Sequence, residues 1–152
     1  MILADEVRCL RSLQLFSSVD AAKLKLLAFN SDRVRFSPGQ VLFHQGDIGD
    51  AAYVVLDGSA DVSVDTAFGQ VNVAKIERNS LVGEISLLGD GARTATVTAA
   101  TPVEALRISK ENFLKLMAES PKFMLSVLEV LSRRLSNTTS ELAKHKGQYE
   151  IS

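Results

Sequence analysis

Between Gly83 and Ala99 the chain reads GEISLLGDGARTATVTA, and its charged pair, Glu84 and Arg93, offers two different chemistries nine residues apart on one loop. A glycine ahead of a short apolar helical turn presents backbone N–H groups to an anion and lets it come close to the main chain. Arg93, arriving from the other side of the loop, would neutralise the same anion with a planar, permanently charged fork. Glu84 repels such an anion and needs another partner, and a sugar hydroxyl suits a carboxylate acceptor. These residue types fit a site that holds a sugar and a phosphate together. An isolated Glu and Arg at this spacing would be an ordinary surface ion pair worth about 1 kcal/mol at most. What separates the two readings is the pattern around them: Gly83, Ser86, Leu87 and Leu88, the turn Gly89-Asp90-Gly91, then Arg93-Thr94-Ala95-Thr96-Val97.

The rest of the composition narrows the chemistry. A chain of 152 residues that is 46% hydrophobic supports one domain, 1–152, with a real core. A net charge of −1 leaves no electrostatic footprint for nucleic acid. Cys9 is the single cysteine, which excludes disulfides within the chain and cysteine-held clusters, and its apolar-periodic segment reads it as a buried small hydrophobe. His44 and His145 lack ligand spacing, so no metal site is expected. The opening MILADEVRCL carries acids where a signal peptide carries bases, and no apolar run reaches the roughly 20 residues of a membrane span. The expectation is a cytoplasmic protein with no membrane contact.

Positioning those residues requires a scaffold. Leu3, Val7, Leu10, Leu13 and Leu15-Phe16 recur at helical spacing, and Asp20 suits the cap of a second helix with Leu24, Leu26, Leu27 and Phe29 mostly inward, so residues 1–32 read as N-terminal helices. From 33 to 108 the period becomes two: Val34/Phe36, Val41/Phe43, Tyr53/Val55, Val62/Val64, Val71/Val73, the run from Thr94 to Ala99, and Val103/Ala105. Turns at Ser37-Pro38-Gly39, Gly46-Asp47, Gly49-Asp50, Asp57-Gly58, Phe68-Gly69 and Thr101-Pro102 separate them. About eight short strands at this spacing indicate an antiparallel β-roll of the jelly-roll kind, so the fold class is α+β and mainly β.

The C-terminal part, 109–147, reads as helical. Ser109 caps a helix holding Phe113, Leu114 and Met117, and Ser120-Pro121 starts another, with serine as N-cap and proline at the first helical position. Within the second, Leu128, Leu131, Leu135, Thr138, Leu142, His145 and Tyr149 fall at steps of three and four, a heptad seam able to pack on its own domain or on the same helix of a second copy.

The stretch from 83 to 97 resembles the phosphate-binding cassette of the cyclic nucleotide-binding domain family, found in catabolite activator proteins, regulatory subunits of cAMP-dependent protein kinase and cyclic nucleotide-gated channels. PGQVLFHQGDIGDAAYVVLDGSADV resembles the family's strand and turn signature, with Gly39, Gly46 and Gly58 as turn positions, and the resemblance covers roughly residues 10–142. It implies that Arg93 pairs with the cyclic phosphate and Glu84 takes the ribose 2′-hydroxyl, with Gly83 and the amides of Ile85 and Ser86 completing the cradle and Thr94 reaching the phosphate. Val82 stands where many members carry Phe, and Ala92 where many carry Pro; both are packing or turn positions. The segment LSRRLSNTTSEL resembles the family's purine-covering C-helix, which implies a lid role for Thr138 and Thr139, with Arg134 as a further candidate.

The function so implied is that of a cytoplasmic, non-enzymatic receptor for a cyclic purine nucleotide, cAMP in preference to cGMP, with no metal and no cofactor. Thr94 leaves the purine choice open, because threonine at this place serves cGMP-preferring members and also occurs in cAMP-binding ones. The helices after Ser109 would carry the signal to a protein partner or to a homodimer. No helix-turn-helix pattern follows Leu142, so the reading is of a free-standing domain that does not bind nucleic acid. No activated nucleophile or positioned general base accompanies the cassette, which disfavours an enzyme. The alternative is the same fold used as a nucleotide-independent dimerisation or scaffold module.

Overall fold

The computed structural model describes residues 3–88 and 91–133. Two helical segments open the chain, α1 (Leu3–Ser12) and α2 (Ala21–Phe29), joined through a 3-10 turn at Gln14–Phe16. Helix α1 carries Asp5 and Glu6 in its first turn and Arg11 in its last, the arrangement that complements the helix dipole. Eight strands follow: β1 (Asp32–Phe36), β2 (Val41–Phe43), β3 (Ala51–Asp57), β4 (Ala60–Thr66), β5 (Gly69–Ile76), β6 (Leu81–Val82), β7 (Thr96–Ala99) and β8 (Val103–Ser109). Two C-terminal helices complete the described chain, α3 (Lys110–Glu119) and α4 over 121–133.

All strand pairs are antiparallel and form two four-stranded sheets, β1-β8-β3-β6 and β2-β7-β4-β5. One core lies between the sheets, where Ala51, Tyr53 and Val55 of β3 meet Leu42, Val97, Ala99 and Ala105. The opposite face of the same strand, with Ala52 and Val54, packs with Leu106 and Ile108 against Leu10, Phe16, Leu24, Phe113 and Phe123 of the helical layer. Strand β3 is therefore buried on both faces, and this is why AAYVV reads as a continuous apolar run instead of an alternating one. Phe123 locks the helical layer, stacking on Phe16 at 5.2 Å and meeting Phe113 edge-on at 5.3 Å.

The expected caps at the C-terminal helices form. Ser109 Oγ accepts from the Asn112 amide (3.1 Å) and Ser120 Oγ from the Phe123 amide (3.2 Å). At α2 the expectation holds only for the main chain. The Asp20 carbonyl accepts from the Leu24 amide, but its carboxylate makes no cap bond and stands 4.0 Å from Lys122. Leu24 and Leu27 point into the core, whereas Leu26 and Phe29 are 54% and 74% exposed, contrary to their expected inward facing. The buried face of α2 is the one that carries Leu24, Leu27 and Ala28, and Leu26 and Phe29 fall outside it.

Two further expectations are corrected. Strand β7 starts at Thr96 because residues 94 and 95 form a bend, and β6 is a two-residue strand that no alternating run announced. Cys9 is half-buried: its Sγ donates to Asn79 Oδ1 at 3.0 Å, and burial pushes the thiol pKa up against the opposing pull of Arg78. The polar neighbour and the partial exposure distinguish it from a core hydrophobe.

Candidate functional site

Gly83 follows directly on β6 with φ +88°, a backbone region that a side chain resists. A Cβ there would stand 2.5 Å from Arg93 Nη1 and 3.2 Å from the Phe43 ring, so the glycine also admits the guanidinium to the main chain. Residues Ile85–Leu87 then form a 3-10 turn with Glu84 at its N-cap. The first amide to bond back is that of Leu87, onto the Glu84 carbonyl at 3.1 Å. The amides of Ile85 and Ser86 precede that first bond, the position at which helical N–H groups lack an intrahelical acceptor.

Arg93 reaches this turn from the far side of the loop and is 4% exposed. Its main chain is clasped to the 46–47 turn in both directions, with its N–H on the Asp47 carbonyl and its carbonyl accepting from the Gly46 amide, each at 2.8 Å. Nη1 donates to the Gly83 carbonyl and to Ser86 Oγ, both at 2.8 Å, and Nη2 donates to the Ala51 carbonyl at 2.6 Å. The Phe43 ring lies 4.0 Å from Cζ, a cation–π contact.

Every one of these partners is neutral. Among the described residues no carboxylate lies within ion-pair distance of the guanidinium, and Glu84 and Arg93 do not pair with one another. Burial accordingly pushes the Arg93 pKa below its ordinary value, opposed by Tyr53, Asp50 and Asp47 and reinforced by Arg107. An arginine keeps its proton through such a shift, so among the described residues the site holds a buried positive charge with no carboxylate at ion-pair distance. Desolvating such a charge costs several kcal/mol, which an incoming anion would offset.

In front of the guanidinium is a cavity of about 290 Å³, near the lower end of the range for small-molecule sites. Gly83, Glu84, Ile85, Ser86, Arg93 and Thr94 all line it, so the structure brings together every expected site residue within the described chain. The opposite wall is apolar, with Val62 of β4 and Ala74 and Ile76 of β5. Glu84, 7% exposed, also lines a second cavity of about 190 Å³ on the other side of the turn, bounded by Leu13, Leu15, Phe113, Val127 and Leu131. Arg134, Thr138 and Thr139, the expected lid, lie outside the described residues, as do Gly89 and Asp90 of the turn. Among the described residues no three His, Cys, Asp or Glu side chains converge on a metal position, and no helix is long and apolar enough to cross a membrane.

Sequence reasoning missed three contributors: the Phe43 ring, the Ala51 carbonyl and Gly49. Phe43 read as a strand residue, and the Ala51 carbonyl leaves no trace in residue type. Gly49 read as a turn residue, although its place is beside the guanidinium.

The profile described as cyclic nucleotide-binding domain matches residues 33–120, and the chain belongs to that family. Among curated relatives, the CRP-like cAMP-activated global transcriptional regulator of Mycobacterium tuberculosis is 28% identical over 130 residues, covering 85% of this chain and 58% of the regulator. The cAMP-dependent protein kinase regulatory subunit of Mucor circinelloides is 32% identical over 123 residues, covering 81% of this chain and 27% of that subunit. Among solved structures, the catabolite activator protein of Thermus thermophilus superposes with a TM-score of 0.77 at 29% identity, covering 85% of this chain and 61% of that one. The chain thus spans little more than half the length of the bacterial regulators it resembles, and these matched relatives are regulators.

Proposed function

We propose that this chain is a cytoplasmic receptor domain for a cyclic purine nucleotide, with cAMP preferred over cGMP and no metal or cofactor required. In this reading Arg93 pairs with the cyclic phosphate, Glu84 accepts from the ribose 2′-hydroxyl, the amides of Ile85 and Ser86 complete the phosphate cradle beside Gly83, and Thr94 borders it. The observation that carries the reading is the buried Arg93 charge, which among the described residues is held by neutral acceptors at the edge of a cavity of about 290 Å³. A buried charge without a carboxylate beside it is costly, and an anionic ligand would offset that cost. The preference for cAMP is supported by the names of the relatives, which are cAMP-activated or cAMP-dependent proteins.

Calorimetric titration of cAMP and cGMP into the protein tests the assignment. The expected outcome is binding of both, cAMP the tighter, with Arg93→Ala losing it. No heat from either nucleotide would overturn the receptor reading in favour of a scaffold.

Output runs through the helices. Supporting this relay, Glu84 and Leu88 share the second cavity with Val127, Val130 and Leu131 of α4, so a shift of the turn changes what α4 packs against. The altered helical surface then meets a downstream protein or a second copy of the chain. Hydrogen exchange over 121–133 is expected to slow when cAMP is added; unchanged protection would remove the relay.

A further inference from the structure

Gly49 stands in an ordinary region of backbone space, so its lack of a side chain is not required by conformation. It is required by space. A Cβ built at Gly49 would fall onto Ser86 Oγ and would lie 2.9 Å from both Cζ and Nε of Arg93. The backbone on this side has little freedom to retreat. The Gly49 amide is bonded to the Gly91 carbonyl, the Asp50 carbonyl accepts from the Lys110 amide at 2.8 Å, and β3 begins at Ala51. What would yield to a side chain at 49 is the hydroxyl and the guanidinium.

The hydroxyl at that contact has a defined task. Ser86, 5% exposed, donates from Oγ to the Gly83 carbonyl at 3.0 Å and accepts from Arg93 Nη1 at 2.8 Å. Together with the Gly83 and Ala51 carbonyls it engages three of the five guanidinium N–H donors. Among the described residues this leaves Nε–H and one Nη2–H, donors on two nitrogens of the fork that an oxyanion can take.

We infer that Gly49 and Ser86 are a size-matched pair of positioning residues. The Ser86 hydroxyl occupies the space that a side chain at 49 would fill, and from there it orients Arg93 so that the Nε edge is presented to the ligand. The inference rests on the reading of Arg93 as the phosphate partner. It assigns the affinity of the cradle partly to a side-chain hydroxyl and a missing methyl, neither of which touches the nucleotide in this account.

The test is calorimetric titration of cAMP into four proteins whose folding is checked by circular dichroism. Ser86→Ala, which removes one acceptor from Nη1, is expected to weaken binding about two- to tenfold. Gly49→Ala, which displaces both hydroxyl and guanidinium, is expected to weaken it by about tenfold or more. Combining Gly49→Ala with Ser86→Gly removes the closest of these contacts and opens space into which the guanidinium can shift, so it is expected to bind more tightly than Gly49→Ala alone, returning close to the level of Ser86→Ala. Such a rescue by a second loss would not follow from a general structural role. Wild-type binding with Gly49→Ala unchanged, or a double variant no tighter than Gly49→Ala, would overturn the pairing and leave the receptor reading standing. Should Gly49→Ala fail to fold, the double variant is expected to fold and bind like Ser86→Ala, and its failure to do so would overturn the pairing. Absence of cAMP binding by the wild type would overturn both.

Discussion

Two arginines fourteen positions apart show opposite electrostatic designs. Arg107 sits on β8 directly across from Asp32 of β1, with Asp50 Oδ2 at 2.9 Å from Nη2 and Asp32 Oδ2 at 3.9 Å from Nη1. Its side chain is 27% exposed, and two carboxylates balance it beside water. Arg93 is almost fully buried and has three neutral acceptors and a ring. A surface pair like that of Arg107 stabilises by up to about 1 kcal/mol and asks for nothing more. A buried guanidinium without a carboxylate stays electrostatically incomplete until an anion arrives. On the proposed reading, the neighbours and not the residue type separate a structural cation, Arg107, from a binding one, Arg93.

The comparison can be broken most directly by exchanging each arginine for alanine and titrating cAMP. Arg93→Ala is expected to weaken binding by about 30-fold to several thousand-fold, while Arg107→Ala changes it by less than about threefold. Equal losses at the two positions would erase the distinction drawn between them. A smaller effect is expected at Glu84, where removing a charged hydrogen-bond acceptor costs roughly tenfold to a hundredfold. Titrating 2′-deoxy-cAMP sharpens that result: wild type should lose affinity for the deoxy ligand, and Glu84→Ala should not distinguish the two. The smallest change concerns the ring beneath the cation. Phe43→Leu is expected to weaken cAMP binding by about two- to fivefold, and an unchanged affinity would limit the ring to packing.

Much of this arrangement was legible in the residues. The switch from helical to alternating periodicity near residue 33 located the β-roll, and Ser109 and Ser120 marked the C-terminal helices through side-chain oxygens that do cap them. The cassette was legible because glycine, carboxylate and arginine must occupy set positions for their chemistry to converge. Other features left a weak or misleading signal. Leu26 and Phe29 look like core residues on α2, and only the placement of the neighbouring layer leaves them in solvent. Two residues, Leu81 and Val82, are too few to show a period, so β6 emerges only from its pairing with Tyr53 and Val54.

The sequence by itself determined which groups are available: the acids Glu84 and Asp90, the cation Arg93 and a glycine-led turn on a single loop, carried by alternating strands between helical ends. These properties are local, because spacing and residue type act over a few positions. The tertiary structure decided how the groups are used. Phe43, the pair Gly49 and Ala51, and Ser86 are contributed by three segments, and chain folding brings them around Arg93. Whether a buried charge meets a carboxylate, a carbonyl or an empty cavity depends on contacts between residues distant along the chain, and no local pattern encodes that choice.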